Sequence, residues 1–394
     1  MFKDFIIMRF PAIIFFVFYV ISPALFGQVL EEKGKQQGEL ALRIKSISFF
    51  KDNEYSNSIS GSDFILVSSL PGFLDLSKWI EGYTLPGFFI QPELVYKPSG
   101  KVTIRAGTYI LKYAGTKKFT QIRPVFSTSL NISEKTTLTL GTISGCEKHL
   151  LYDPDFDKER LYTDNNENGF QLTSSNDHLF SDTWINWENF ITKGDSTREI
   201  LSGGESFRYT SSAVAGIMHF IVPLQVQFKH FGGQISNYPE SVETFYNLAT
   251  GLRVNIDLGQ KRFGEAGIEY LQFFNTVISG ETSSPIKSGN ASWLKLHYTY
   301  KGLYIGAAYW KAHNFYAPEG NPLYASIIDF HSDYVVPERR VITNYLYLTL
   351  LPESYLELFL GFETYYDVCM KRMDSSITLH LSFDKLIKLA TLKN

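Results

Sequence analysis

Beyond its N-terminal segment, nearly the whole chain alternates apolar and polar positions with a period of two, and helical periodicity is missing. Leu356, Leu358, Leu360 and Phe362 alternate with Glu357, Phe359, Gly361 and Glu363. Ile377, Leu379, Leu381 and Phe383 alternate with Ser376, Thr378, His380 and Ser382. The same rhythm runs through Val222–Lys229, Leu252–Leu258, Leu294–Tyr300 and Val102–Ile110. The runs are about nine to fifteen residues long. An ordinary soluble strand has ~5–6 residues, whereas a tilted strand crossing a bilayer needs ~9–11.

The connections give an independent reading. Tight turns are predicted at Pro98-Ser99-Gly100, Ile132–Lys135, Gly259-Gln260-Lys261, Lys301-Gly302 and Pro352-Glu353. Between them lie longer polar segments near 145–167, 192–203, 231–243, 276–288 and 313–340. Short turns at one end and long loops at the other are the habit of bacterial barrels. Followed back to residue 62, the rhythm gives about sixteen strands (14–18), with weak ones near 62–70, 168–175 and 203–211. In hydrocarbon every backbone N–H and C=O must be paired within the protein, so only helices and closed barrels can span. With helices excluded, the expected fold is all-β: a transmembrane antiparallel up-and-down barrel with both termini periplasmic.

The N-terminus changes the picture of where this barrel is built. Lys3 and Arg9 precede an uncharged apolar run from Phe10 to Phe26, followed by Gly27-Gln28 and the charged Glu31-Glu32-Lys33. This is a signal-peptide pattern with a cut after Gly27. No later window reaches the ~18 apolar residues of a membrane helix. The expected division is 1–27 signal peptide, 28–61 a periplasmic segment or first strand, 62–383 barrel, and 384–394 a C-terminal tail. The outer membrane is the expected location.

Composition adds little beyond exclusions. The net charge of −3 provides no basic footprint for nucleic acid. Cys146 and Cys369 cannot build a disulfide framework; one bridge or two free thiols both remain open.

The stretches Asn168-Gly169-Phe170-Gln171, Trp184-Ile185-Asn186-Trp187-Glu188 and Gly194-Asp195-Ser196 to Gly203-Gly204, with the signal peptide and the alternation, resemble porin-like outer-membrane proteins of the Bacteroidetes type. The resemblance implies an outer-membrane barrel and says little about a solute. It also departs from the pattern: Phe383 stands where such barrels often end, yet Asp384–Asn394 follows it.

The face opposite the apolar one points to the lumen, which makes Arg105, Arg123, Gln225, Gln227, Lys229, Arg253, Glu265, Glu269, Lys295, His297, Glu357 and Glu363 pore-lining candidates. Their mixed signs imply no ion preference. In the loop near 145–167, Asp153, Asp155 and Asp157 alternate as weak candidates for a hard cation, although Lys158 stands where an EF-hand needs glycine. By length this loop, or 313–340, is the best candidate for a constriction folded into the barrel. His380 and Ser382 share a strand face as a nucleophile–base pair would, but on the lumen side with no evident third member.

The expected function is a channel for passive or substrate-preferring diffusion of small hydrophilic solutes, and not an enzyme. The alternatives are a non-transporting barrel acting as a structural or adhesion platform, and an outer-membrane hydrolase. No cofactor is expected. The expected partners are outer-membrane lipid and lipopolysaccharide, the barrel-assembly machinery and the solutes, with a homotrimer left open.

Overall fold

A computed structural model describes residues 37–55, 65–66, 80–145, 148–233, 235, 237–239, 242–259, 263–279, 284–328, 331–351 and 355–392. The signal peptide, Cys146 and the Pro352-Glu353 turn lie outside the described residues.

Sixteen antiparallel strands close into one barrel. They are β1 (Glu39–Glu54), β2 (Thr84–Lys97), β3 (Val102–Tyr113), β4 (Gln121–Asn131), β5 (Thr136–Thr142), β6 (Asn168–Ser175), β7 (Leu179–Asn189) and β8 (Glu199–Thr210). The second half is β9 (Met218–Gly232), β10 (Glu243–Asp257), β11 (Glu265–Ser279), β12 (Ser288–Tyr300), β13 (Leu303–His313), β14 (Glu338–Leu350), β15 (Leu356–Asp367) and β16 (Arg372–Thr391). Each strand pairs with its sequence neighbours, and β1 closes on β16 from Glu39↔Thr391 to Glu54↔Ser375. Both ends of the barrel chain therefore stand at the end that carries the short turns. The weakly patterned strands near 168–175 and 203–211 are present as β6 and β8.

Two boundaries differ from expectation. The barrel begins at Glu39, not near residue 62, because Leu40, Leu42 and Ile44 present an outward apolar face beside β16, so 28–61 holds the first strand, the second of its two expected readings. Residues Ile65–Leu66 belong instead to a small separate sheet with Ile327–Ile328 and His331–Val335. The expected tail from Asp384 is no tail: it continues β16 to Thr391, paired along β1. A register shift at Leu40/Ala41 and the charges of Lys385 and Lys388 hide that continuation from the period-two pattern.

The alternation sorts the faces as a membrane barrel requires. Phe126 (59 % exposed), Leu296 (54 %) and Ile377 (49 %) stand on the outer face, where the solvent is lipid. Leu271 and Trp293 face inward and are buried. The hairpin between β12 and β13 turns on Lys301 and Gly302 alone, both at positive φ (46° and 83°), as a two-residue type I′ turn needs.

Candidate functional site

Two long loops from one end fold into the barrel. The segment 148–167, with a single helical turn α1 (Arg160–Thr163), is fastened to both sides of the lumen. On one side Asn53 Nδ2 and Lys51 Nζ of β1 reach Glu159 Oε2 at 2.9 and 3.0 Å. Tyr162 Oη meets His380 Nδ1 of β16 at 2.7 Å, and Arg123 of β4 holds Asp164 at 2.9 Å. On the other side Tyr152 N donates to Gln225 of β9 at 3.1 Å, and Tyr152 Oη to Glu269 of β11 at 2.6 Å. In a closed ring of sixteen, β9 stands opposite β1. The loop therefore crosses the full width of the lumen.

The second loop, 314–328, packs its apolar side chains against the inner wall of β11–β14. Phe315 and Tyr324 are buried among Trp293, Trp310 and Phe273. Trp310 Nε1 donates to Tyr324 O at 3.2 Å, and the buried Arg339 guanidinium donates to Ala325 O and Leu323 O at 2.6 and 2.9 Å. The loops lock together where Asp157 N donates to Glu319 O at 2.7 Å and Asn321 Nδ2 to Asp153 Oδ2 at 3.0 Å. Both segments anticipated as constrictions are inside.

His149 is a further fastening, held on both ring nitrogens. Its Nδ1 lies 2.8 Å from Asp182 Oδ2 and its Nε2 2.7 Å from Glu167 Oε2, with the ring stacked on Trp184 at 4.0 Å. Burial alone would push the imidazole pKa down, but the Glu167 charge and the bonds to both carboxylates outweigh it and raise it to about 9. His149 is thus an imidazolium clamped between two carboxylates. Asp155, buried with one oxygen unpaired, is pushed by burial up to about 8, against a smaller opposing pull from Asn247.

The pore-lining candidates all sit on inner faces, but many are engaged. Gln225 holds Leu150 and Tyr152, while Gln227 and Lys229 reach Glu319. Arg253 makes a two-pronged contact with Glu269 at 3.0 Å on each arm, and Lys295 lies over the Trp293 ring at 4.2 Å. Arg105 donates to Ser127 at 2.9 Å, and Glu265 accepts from Asn255 at 2.9 Å. His297 stacks on Tyr304, and Glu363 accepts from the Tyr347 and Tyr365 hydroxyls. Asp153, Asp155 and Asp157 do not converge: among the described residues no three His, Cys, Asp or Glu side chains form a metal-binding group.

The His380/Ser382 pair does have a carboxylate beside it. Glu357 pairs across from Ser382, with Oε1 3.9 Å from His380 Nε2. Yet His380 Nδ1 is taken by Tyr162 and its ring lies flat on Phe359 at 4.8 Å, so it serves as a tie for the crossing loop.

The outer wall carries polar groups that the sequence reading missed. Glu205 of β8 faces out, accepting from Ser181 at 2.7 Å and from Thr183. Higher on the wall, His230 of β9 pairs with Thr244 of β10, Nδ1 to Oγ1, at 2.8 Å. The signal was there: His230 continues the apolar register Val222, Leu224, Val226, Phe228. Ionisable residues on a lipid-facing surface are costly, so they are candidates for function.

Residues 32–392 match the family described as lipid A 3'-O-deacylase-type. The chain belongs to that family. The expectation that it is not an enzyme is thereby overturned, because the family is named for an ester-cleaving activity. No curated protein matches this family member's sequence. Similar solved structures include a loop L8 deletion form of the outer-membrane protein OmpT of Vibrio cholerae. It has 9 % identity and a TM-score of 0.49, and covers 88 % of this chain and 100 % of its own. An anion-selective porin from Comamonas acidovorans has 8 % identity and a TM-score of 0.49, covering 88 % and 100 %. OprD from Pseudomonas aeruginosa has 11 % identity and a TM-score of 0.44, covering 91 % and 96 %. At those values the likenesses bear on neither substrate nor activity. The lipid A 3'-O-deacylase-type chain is an outer-membrane barrel by its own closed sheet and apolar exterior.

Proposed function

We propose that this protein is an outer-membrane acyl-ester hydrolase acting on lipid A or a glycolipid like it. The observation that carries this reading is the family match along 32–392. The interior is compatible with it: a loop fastened to opposite walls crosses the lumen. In this reading the short turns and both chain ends are periplasmic, and the long loops face the leaflet that holds lipopolysaccharide. Passive diffusion of small hydrophilic solutes would have the polar inner faces in its favour, with the crossing loop in its path.

The test is direct. The mature chain, refolded in detergent, is incubated with purified lipid A, and the products are weighed by mass spectrometry. Loss of the mass of one fatty acid, with the free acid appearing in the same sample, is expected. Unchanged lipid A beside a protein that is demonstrably folded would sink the reading.

A further inference from the structure

We propose that the outer wall at β13 and β14 holds an anionic phospholipid, its phosphate on Lys311 and Arg340 and an acyl chain in the groove beneath them. Register brings the two cations together. Lys311 and Arg340 stand directly opposite one another on the outward face, two positions from the long-loop ends of their strands. Like charges so placed repel, because opposite Cβ atoms are only ~5 Å apart. Among the described residues the Lys311 ammonium has no partner. Arg340 makes one weak contact, Nε to Cys369 Sγ at 3.4 Å, which leaves both terminal guanidinium nitrogens unused. The next pair toward the loop, His313 and Glu338, is closed on itself, Nδ1 to Oε1 at 2.6 Å. An anion between the two cations relieves the repulsion, and one phosphate can accept from the ammonium and the guanidinium together.

The height on the wall is that of a headgroup. Tyr309 and Tyr366, 40 % and 39 % exposed, flank Ile342 one step deeper on the same face. Outward tyrosines of this kind mark the boundary between headgroups and hydrocarbon. One further step down, Ala307 stands opposite Asn344. The short Ala307 side chain leaves an open groove of about 560 Å³ among Leu296, Ile305, Leu346 and Phe362. The groove lies four residues from the cation pair along both strands, ~13 Å at the rise of a strand. That is within reach of an acyl chain hung from a phosphate on the cations.

Two cations without a carboxylate partner favour a headgroup of net negative charge. A zwitterionic headgroup would bring an ammonium beside them, and Glu338, which could receive it, is already engaged by His313. The lipid is held, and no bond in it is made or broken. The site depends neither on the hydrolase reading nor on which way the barrel points, because phosphate headgroups line both leaflets.

The experiment measures lipid retention by native mass spectrometry of the refolded mature chain in detergent, with folding confirmed by heat-modifiable gel mobility. Dioleoyl phosphatidylglycerol and dioleoyl phosphatidylcholine are offered at equal concentration. Wild type should retain the first at least about tenfold more strongly. Inorganic phosphate should not displace it, because it has no chain for the groove. Lys311→Gln with Arg340→Gln should lose that preference, and Ala307→Phe, which fills the groove and keeps both cations, should weaken retention. Lys385→Gln with Lys388→Gln removes two exposed cations from the other end of the barrel and should bind as wild type does. Wild-type retention of phosphatidylglycerol by either folded site variant would overturn the proposal. So would equal retention of the two lipids, displacement by phosphate, or an equal loss in the Lys385/Lys388 control.

Discussion

Tyr162 and His380, 218 residues apart in sequence, place Oη and Nδ1 2.7 Å from one another across the lumen side of the last strand. Tyr162 also packs on Phe49 at 4.8 Å, so one aromatic ring joins the crossing loop to both strands of the barrel seam. The loop is thus held by the same β1–β16 wall that closes the cylinder.

A loop fastened to opposite walls should govern whether ions pass. Sixteen strands alone enclose a cylinder wide enough for an aqueous channel. The wild-type protein in a planar bilayer is expected to be nearly silent, and replacement of residues 150–164 by a short Gly-Ser linker should produce stable ohmic steps. Equal conductance in the two forms would show that the loop does not close the lumen.

The His149 clamp makes the attachment depend on pH. The imidazole has a raised pKa in the folded state, about 9 against 6.5 in an exposed chain. The stabilisation is fully present below about 6.5 and is lost as pH rises through about 9. Linkage sets its size at about 3 kcal/mol, before any relaxation of the buried site. Trp184 stacked on the ring is the natural reporter: its fluorescence should change between pH 7 and 10 in wild type. The change should be absent in His149→Gln, where it would already resemble the alkaline form.

Asp155 works in the same direction for a different reason. Burial raises its pKa to about 8, so the folded loop prefers the neutral acid, and stability falls as pH climbs from about 4 through 8. Asp155→Asn keeps the shape and removes the charge. Between pH 6 and pH 8, below the titration of His149, it should keep the loop more protease-resistant than wild type, which becomes cleavable near residue 155 as pH rises. Matching digestion profiles for the two proteins would refute this role for burial.

How much of this was legible in the sequence depends on which physics wrote it. The period-two pattern reports which face meets lipid, so the barrel, its even strand count and the inward direction of residues such as Arg253 and Lys295 could be read directly. The Lys301-Gly302 turn was legible because only a few sequences tolerate positive φ at both positions. Contacts between loop and wall have no period: nothing in the spacing of His149, Glu167 and Asp182 announces that they meet. His230 was missed for the opposite reason. It lay in plain register on the apolar face, where one polar residue reads as an imperfection of the pattern. The ends of the barrel were obscured by Lys385 and Lys388 and by the register shift at Leu40/Ala41, which break the alternation where pairing continues.

That continuation leads to the last prediction. Asp384 accepts from Arg43 Nε at 2.9 Å and Nη2 at 2.6 Å, an ion pair across the seam that looks like the clasp of the barrel. Asp384 is exposed and Arg43 partly so, and such solvent-screened pairs contribute about 0–1 kcal/mol. Asp384→Ala should therefore barely shift the temperature at which the folded band gives way to the unfolded one on a gel. Ending the chain at Phe383 is a different perturbation. It strips the pairing partners from Glu39 to Lys45 and leaves their backbone N–H and C=O groups without bonds at a membrane-facing edge. Unfolding should then occur at a clearly lower temperature, or folding should fail. If the truncated chain were as stable as wild type and Asp384→Ala were not, the ion pair, and not the strand ladder, would be what closes the barrel.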